Sequence, residues 1–376
     1  MKEEKIVTID RLSLGGDGVG RIDGKVVFVP WTAPGDTVRI RLTEEHQRFD
    51  RGQVVEVVSP SADRVQPRCS VLGLCGGCQW QHIPYATQVR TKEAILRETL
   101  EKIGRVGPVE ILPIITSSDP WGYRNRIQIR KSPDGKIGFL ESGSHNVVEF
   151  ENCDIVDPLL NGAVKRLKSN GRKMPKVAEV VVEGGEVFLQ SLEDPERIFL
   201  QVNPVINQRL IEVVMEFTFG RADPAFTRRQ TVVELYSGNG NLTLPLAERA
   251  GKVIAVEVSA SAVKEAEQKA LEKYLQIEFI CGSTEWGLKK ILRHRLSVDT
   301  LVLDPPRRGA KEILDLICVM KPRQIIYVSC DPSTLARDLK VLVERHFQLE
   351  TIQPLDMFPQ TYHIESVAKL VRKNGG

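Results

Sequence analysis

The chain has 376 residues, of which 41% are hydrophobic and 27% charged, and 52 Lys and Arg against 49 Asp and Glu give a net charge of +3. That length fits two or three domains of roughly 150 residues, and the composition excludes wholesale disorder, collagen and coiled coil. No apolar run approaches the roughly 20 residues of a membrane span, and the charged start Met1-Lys2-Glu3-Glu4-Lys5 lacks a signal-peptide core, so no membrane partner and a cytoplasmic location are expected. The mildly basic balance permits a nucleic-acid partner without demanding one.

Residues 1–60 predict an all-β module. Runs at 6–9, 25–29, 37–42 and 51–58 have strand composition, residues 15–20 read as a Gly-rich turn segment, and Pro30 and Pro34 punctuate a loop. So many short strands in so few residues predict an OB-type barrel. A loop at 59–68 leads into Cys69, Cys75 and Cys78, and residues 85–103 predict an amphipathic helix stopped by Gly104. Strands return at 123–131 and 136–140 around Asp134-Gly135, then at 177–182 and 187–192 around Gly184-Gly185, two hairpins of a central α+β segment. After residue 201, β-rich runs at 231–235, 252–256, 277–280, 300–303 and 324–329 alternate with helical segments such as 261–274 and 311–320; a last strand is expected at 366–371. This is the pattern of a doubly wound α/β sheet. The expected division is 1–60, 61–200 and 201–376.

The first of these strands runs into Ser237-Gly238-Asn239-Gly240 and then a helix, a turn that lets backbone approach a ligand at the sheet's carboxyl edge. Thr243 stands where a dinucleotide fingerprint needs a third glycine, which weakens a pyrophosphate reading. Glu257 ends the second strand, where a carboxylate can accept both ribose hydroxyls. An acidic first strand end, Gly-x-Gly and this carboxylate form the pattern of S-adenosylmethionine binding; a glycine turn serving geometry alone is the other reading. Asp304 ends the fourth strand in Asp304-Pro305-Pro306-Arg307, as a ligand-facing group or a turn cap. Arg307 stands where an amino-group methyltransferase would have an aromatic, which argues against that subclass.

Seven cysteines without an export signal argue for metal binding or thiol chemistry over disulfides. Cys330 ends an apolar strand and precedes a helix start that favours a thiolate. An isolated Cys is usually a small buried hydrophobe, but this place in a ligand-binding sheet favours chemistry. Carbon 5 of uracil becomes nucleophilic once a thiolate adds to carbon 6, and a base must later remove the proton on carbon 5. Residues 355–365 offer His363 and Glu365 as partners, and the residues alone leave both open as structural or solvated groups.

Asp304-Pro305-Pro306-Arg307-Arg308-Gly309, Ile326-Tyr327-Val328-Ser329-Cys330 and Asp356-Met357-Phe358-Pro359-Gln360-Thr361-Tyr362-His363-Ile364-Glu365 resemble the two signatures of RNA 5-methyluridine methyltransferases. The resemblance covers nearly the whole chain. It implies an α/β class I methyltransferase domain using S-adenosylmethionine, with Cys330 as nucleophile and Glu365 as the base. It places Gln201, Tyr236, Glu257 and Asp304 at the cofactor and, less specifically, Asn241 and Ser283. The family usually has Asn after the nucleophile; here Asp331 follows, which leaves the local hydrogen bonding open.

The N-terminal barrel resembles the TRAM domain, an RNA-binding module, with Arg11, Arg21, Arg39, Arg41, Arg48 and Arg51 as candidate phosphate contacts or an ordinary solvated surface. Cys69, Cys75 and Cys78 have C-x5-C-x2-C spacing, which lacks the second C-x2-C of a zinc ribbon. Three clustered thiols and one distant Cys suit a four-cysteine iron–sulfur site, and the resemblance makes Cys153 the fourth ligand of a 4Fe–4S cluster. Arg124, Arg126 and Arg130 fall on one face of their strand, suited to an RNA backbone. The expected partner is RNA, ribosomal before transfer RNA, bound by a monomer; the rival readings are a non-catalytic RNA-binding protein and a small-molecule methyltransferase.

Overall fold

The structure, a computed structural model, describes residues 4–169, 174–192, 200–220 and 222–373. The chain forms two compact units: Met1–Ile95 with Ser117–Pro204 and Met357–His363, and Leu96–Thr116 with Val205–Asp356 and Ile364–Gly376.

The first unit opens with β1 (Glu4–Leu12), β2 (Gly18–Ile22), β3 (Lys25–Val29), β4 (Thr37–Glu45) and β5 (Phe49–Ser59), closed into a barrel in the order β1-β2-β3-β5-β4. Alternation builds it: Val38 and Ile40 of β4 join Val7, Ile9, Val27 and Val29 in the interior, while Arg41 is exposed. Residues 18–22, within and beyond the expected turn, form strand β2. A Cβ on Gly20 would lie 2.5 Å from the Thr8 carbonyl oxygen, so the two backbones meet only because Gly has no side chain.

Next comes α1 (Tyr85–Thr99), which passes into a π turn at Leu100–Gly104 rather than staying α-helical to residue 103. Strand β6 (Glu110–Ile111) belongs to the second unit. In the first unit, β7 (Arg126–Lys131), β8 (Ile137–Leu140), β9 (Val147–Val148), β10 (Val177–Glu183) and β11 (Glu186–Ser191) make a sheet in the order β11-β10-β7-β8-β9. Both expected hairpins form, with Lys131 opposite Ile137 and Glu183 opposite Glu186. Helix α2 (Pro158–Ser169) lies on β10 and buries Leu160 and Val164 with Ile127, Ile129 and Val180.

The second unit continues with α3 (Pro204–Phe219), α4 (Pro224–Thr227), β12 (Thr231–Leu235), α5 (Thr243–Arg249), β13 (Lys252–Glu257), α6 (Ala260–Glu272), β14 (Glu278–Cys281) and α7 (Thr284–Arg293). It ends with β15 (Thr300–Leu303), α8 (Leu314–Met320), β16 (Gln324–Ser329), α9 (Pro332–Arg345), β17 (Phe347–Leu355) and β18 (Glu365–Arg372). The eight strands run β14-β13-β12-β15-β16-β18-β17-β6, with β18 antiparallel to both neighbours and every other pair parallel. Without β6, this is the strand order of the class I methyltransferase sheet. Strands covered on both faces read as unbroken apolar runs, and Val233, Leu301, Ile325 and Tyr327 are fully buried. Truncating a leucine such as Leu301 or Leu335 to Ala in such a core costs about 2–5 kcal/mol. Winding reverses between β12 and β15, the switch point at which such sheets bind ligands beyond the strands' carboxyl ends. Among the described residues no helix is long and apolar enough to cross a membrane.

Candidate active site

The carboxyl ends of β12, β13, β15 and β16 reach one edge of the sheet, and antiparallel β18 begins there. After β12, Tyr236, Gly238 and Gly240 take φ values of 64°, 54° and 92°. This left-handed path suits glycine. The Gly238 N–H donates to Glu257 Oε2 at 3.0 Å, and the Ser259 N–H donates to Oε1 at 2.8 Å. The carboxylate expected to accept ribose hydroxyls therefore also holds the glycine turn, with lone pairs left over on both oxygens.

The other sequence-predicted cofactor residues divide. Asn241 and Asn207 of α3 exchange two 2.9 Å hydrogen bonds. Ser283 caps α7, its hydroxyl accepting from the Trp286 N–H at 3.3 Å. Tyr236 is half-buried, and burial raises its phenol pKa while the Thr284 side chain works against the rise. Asp304 follows β15 directly. Gln201 belongs to the first unit, whereas Tyr236, Asn241, Glu257, Ser283 and Asp304 belong to the second.

Glu234, the acidic residue of the first strand, and Arg307 join the expected site residues. Glu234 is 1% exposed within β12, and its Oε2 has no hydrogen-bond partner; neither has the buried Ser237 Oγ. Burial pushes the Glu234 pKa up to about 8; the nearby Thr243 hydroxyl opposes this, though without a bond of normal geometry, and Asp304 and Glu257 add to it. An acidic residue inside an otherwise apolar strand was the signal. The second residue, Arg307, was weighed only as a missing aromatic.

Asp304 keeps a narrow opening to solvent, yet the protein crowds its carboxyl enough to push the pKa up to about 7. Pairing of Ser329 with Ser366 sets Cys330 and Glu365 as the next residues outward on adjacent strands. Glu365 is 6% exposed, and burial followed by the Asp304 charge raises its pKa well above the usual carboxylate range. Burial, then Glu365, pushes the Cys330 thiol up to about 12; Asp304 and Asp331 add to this and Arg307 opposes it. Asp331 caps α9, its Oδ1 accepting from the Thr334 N–H at 2.9 Å, with Pro332 in the first turn. That is its local hydrogen bonding. His363 belongs to the first unit, its ring packed on Tyr362 at 4.4 Å and Phe358 at 5.6 Å.

In the first unit, Cys69, Cys75, Cys78 and Cys153 line one cavity of about 690 Å³, as do Arg124, Arg126 and Arg130. The expected arginine face thus forms a wall of the thiol cavity, with Arg126 paired to Glu179 at 3.5 Å. Burial pushes the Cys78 and Cys153 thiols up to about 12, and the neighbouring thiols add to the rise. Among the described residues no three His, Cys, Asp or Glu side chains converge as a single-ion site. Cys318 is buried and Cys281 exposed. On the barrel, Arg39 pairs with Glu56 at 3.2 Å, Arg41 with Glu4 at 3.1 Å and Arg51 with Asp17 at 3.1 Å.

The sequence profile of the tRNA (uracil-5-)-methyltransferase family matches residues 164–373, and that of the TRAM domain matches residues 3–55. The chain is 34% identical to an uncharacterized RNA methyltransferase of Thermosynechococcus vestitus, over 96% of each chain. It is also 34% identical to one of Bdellovibrio bacteriovorus, over 97% of this chain and 94% of that one. It shares its fold with the Pyrococcus abyssi tRNA (uracil-54, C5)-methyltransferase, solved in complex with S-adenosyl-L-homocysteine, at a TM-score of 0.72 and 24% identity, covering 97% of this chain and 100% of that one. The chain therefore belongs to the tRNA (uracil-5-)-methyltransferase family of S-adenosylmethionine-dependent RNA methyltransferases.

Proposed function

We propose that the chain methylates carbon 5 of a specific uridine in a folded RNA through a covalent adduct between Cys330 and carbon 6. The observation that carries this is the placement of Cys330 and Glu365 side by side at the ligand-binding edge of the sheet. The glycine turn, Glu257 and the partnerless Glu234 Oε2 and Ser237 Oγ suit a ligand rich in hydrogen-bond donors, with Gln201, Tyr236, Asn241, Ser283 and Asp304 as the remaining cofactor residues of the proposal. S-adenosylmethionine, when bound there, supplies an electrophilic methyl group.

The target uridine leaves its stack, because a thiol cannot reach carbon 6 of a stacked base. The Cys330 thiol gives its proton to water, its sulfur bonds to carbon 6, and the electron pair of the 5,6 double bond moves towards the carbonyl as an enolate. Carbon 5 then takes the methyl group. Glu365 removes the proton from carbon 5, the double bond re-forms and the thiolate leaves. A carboxylate whose proton affinity is raised by burial is a stronger base for that step.

The division of labour runs 1–60 as RNA-binding barrel, 61–200 as central domain and 201–376 as catalytic domain, acting as a cytoplasmic monomer. Cys69, Cys75, Cys78 and Cys153 hold a 4Fe–4S cluster in this reading. Four thiols around one cavity support it. A strongly cationic group bound there would draw the protons off these buried thiols. Its role is structural. Ribosomal RNA is the favoured substrate, because the resemblance combines barrel and cysteine cluster. Transfer RNA, in the name of the matching profile and of the Pyrococcus abyssi enzyme, is the alternative.

Nucleoside mass spectrometry of RNA fractions from cells with and without the protein tests this. Loss of 5-methyluridine from one ribosomal RNA site is expected; loss from transfer RNA selects the alternative, and no loss overturns the reading. RNA carrying 5-fluorouridine at the mapped site is expected to remain bound to Cys330 on a denaturing gel.

A further inference from the structure

The charged groups whose fields reach Cys330 come from three places: Glu365 at the start of β18, Asp304 and Arg307 on the loop after β15, and Asp331 at the start of α9. Of these, Arg307 alone favours a thiolate. It is exposed, on a loop with no regular structure of its own. A buried hydrogen-bonded knot holds the end of that loop. The Ala310 N–H donates to Asp338 Oδ2 at 2.7 Å and to Tyr327 Oη at 3.1 Å, and the Tyr327 hydroxyl donates to the same Oδ2 at 2.8 Å. Arg337 donates to Asp338 Oδ1 and to the Arg308 carbonyl, both at 2.8 Å. Gly309, at φ 75°, passes so close that a Cβ would lie 2.5 Å from Asp338 Oδ2.

Tyr327 and Asp338 are both fully buried. Tyr327 lies on β16, three residues before Cys330, and Asp338 on the helix that begins just after it. The knot therefore ties together the loop, strand and helix that meet at the nucleophile. A buried carboxylate is a poor source of stability compared with apolar packing, so its place here points to geometry.

We propose that Asp338, with Tyr327, is a positioning residue that holds the Asp304–Gly309 loop so that the Arg307 guanidinium faces the Cys330 sulfur. The proposal rests on reading Cys330 as the nucleophile. It gives α9 and β16 a second task besides carrying Asp331 and Cys330, and it makes the thiol's reactivity depend on a carboxylate that touches no substrate.

The test is alkylation of Cys330 in the full-length protein by iodoacetamide, followed by peptide mass spectrometry over a range of neutral to alkaline pH. It needs neither RNA nor methyl transfer. Loss of the Arg307 field raises the thiol pKa, and each unit of rise lowers the thiolate fraction about tenfold at each pH below it. Asp338→Asn is expected to slow alkylation by about that factor, and Arg307→Gln likewise. The double variant is expected to be no slower than Arg307→Gln, because both changes remove the same interaction. Should Asp338→Asn fail to fold, Tyr327→Phe decides, with slowing in the same direction. Unchanged alkylation in a folded variant overturns the proposal. So does a double variant slowed by both factors multiplied, since Asp338 would then act other than through Arg307. Absence of a 5-fluorouridine adduct at Cys330 in the wild type would instead remove the nucleophile reading.

Discussion

Glu234, Asp304 and Glu365 are three carboxyls drawn out of water at one sheet edge, and desolvation is the largest cause of the raised pKa of each. For Glu234 the value moves from 4.5 to about 8, and for Asp304 from 3.8 to about 7. Between the unfolded and folded values the folded chain holds more protons than the unfolded one. The stability that Glu234 contributes is therefore full below about 4.5, is lost as pH rises and is gone above about 8. The melting temperature of the ligand-free protein is expected to fall across that window, and Glu234→Gln to flatten the fall; parallel curves for the two proteins would show that Glu234 is not responsible. Removing the base tests the chemistry at the same scale. Glu365→Gln is expected to stall after methyl transfer, leaving an RNA–protein adduct on a denaturing gel, whereas Cys330→Ala forms none and makes no 5-methyluridine. Turnover by Glu365→Gln at the wild-type rate would assign the proton to another group.

The segment that carries Cys330 is a strand end followed at once by a helix. Asp331 stands between them, and its carboxylate replaces one of the missing acceptors of the α9 amino terminus. Asp331→Ala is expected to cost about 1 kcal/mol, read as a lower denaturation midpoint. Asp331→Asn, which restores the family's usual residue and keeps a capping oxygen, is expected to leave the midpoint unchanged. A midpoint shift in Asn as large as that in Ala would mean that the charge, and not the cap, matters there. The glycine turn after β12 is a similar device, with Glu257 fixing the Gly238 N–H.

At the scale of the molecule the remaining questions concern RNA and metal. The barrel arginines Arg39 and Arg41 are ion-paired on the surface. Such pairs are worth about 1 kcal/mol or less, so an RNA phosphate can displace the carboxylate. If they grip RNA, replacing both with Gln is expected to flatten the plot of log affinity against log salt by about 0.7–0.9 per contact. An unchanged slope would return them to an ordinary solvated face. Anaerobically purified protein is expected to contain iron and inorganic sulfide at about four each per chain, and Cys78→Ser to lose both. Stoichiometric zinc without sulfide would replace the cluster assignment.

The classes of structure, the family and its RNA methyltransferase activity were legible in the order of the residues. Alternating residues in a short run specify a half-buried strand, unbroken apolar runs between helices specify a covered parallel sheet, and the signatures at 304–309, 326–330 and 356–365 mark thiol and carboxylate. These properties are local, so local order carries them. The strand in β2 was not legible because Gly18 and Gly20 signal turns unless neighbours pack against them, here the Thr32 and Ile9 side chains at Gly18 and the Thr8 backbone at Gly20. The role of Asp331 needed the helix that follows it, and only the fold joins Tyr327 and Asp338 to one loop. Tertiary structure alone decided which groups lose their water and which share a field. Cys330 and Glu365 are 35 positions apart in the numbering, and only antiparallel pairing of β16 with β18 makes them neighbours. Burial and Coulomb interaction depend on distance in space, and the chain order of a folded protein does not record that distance.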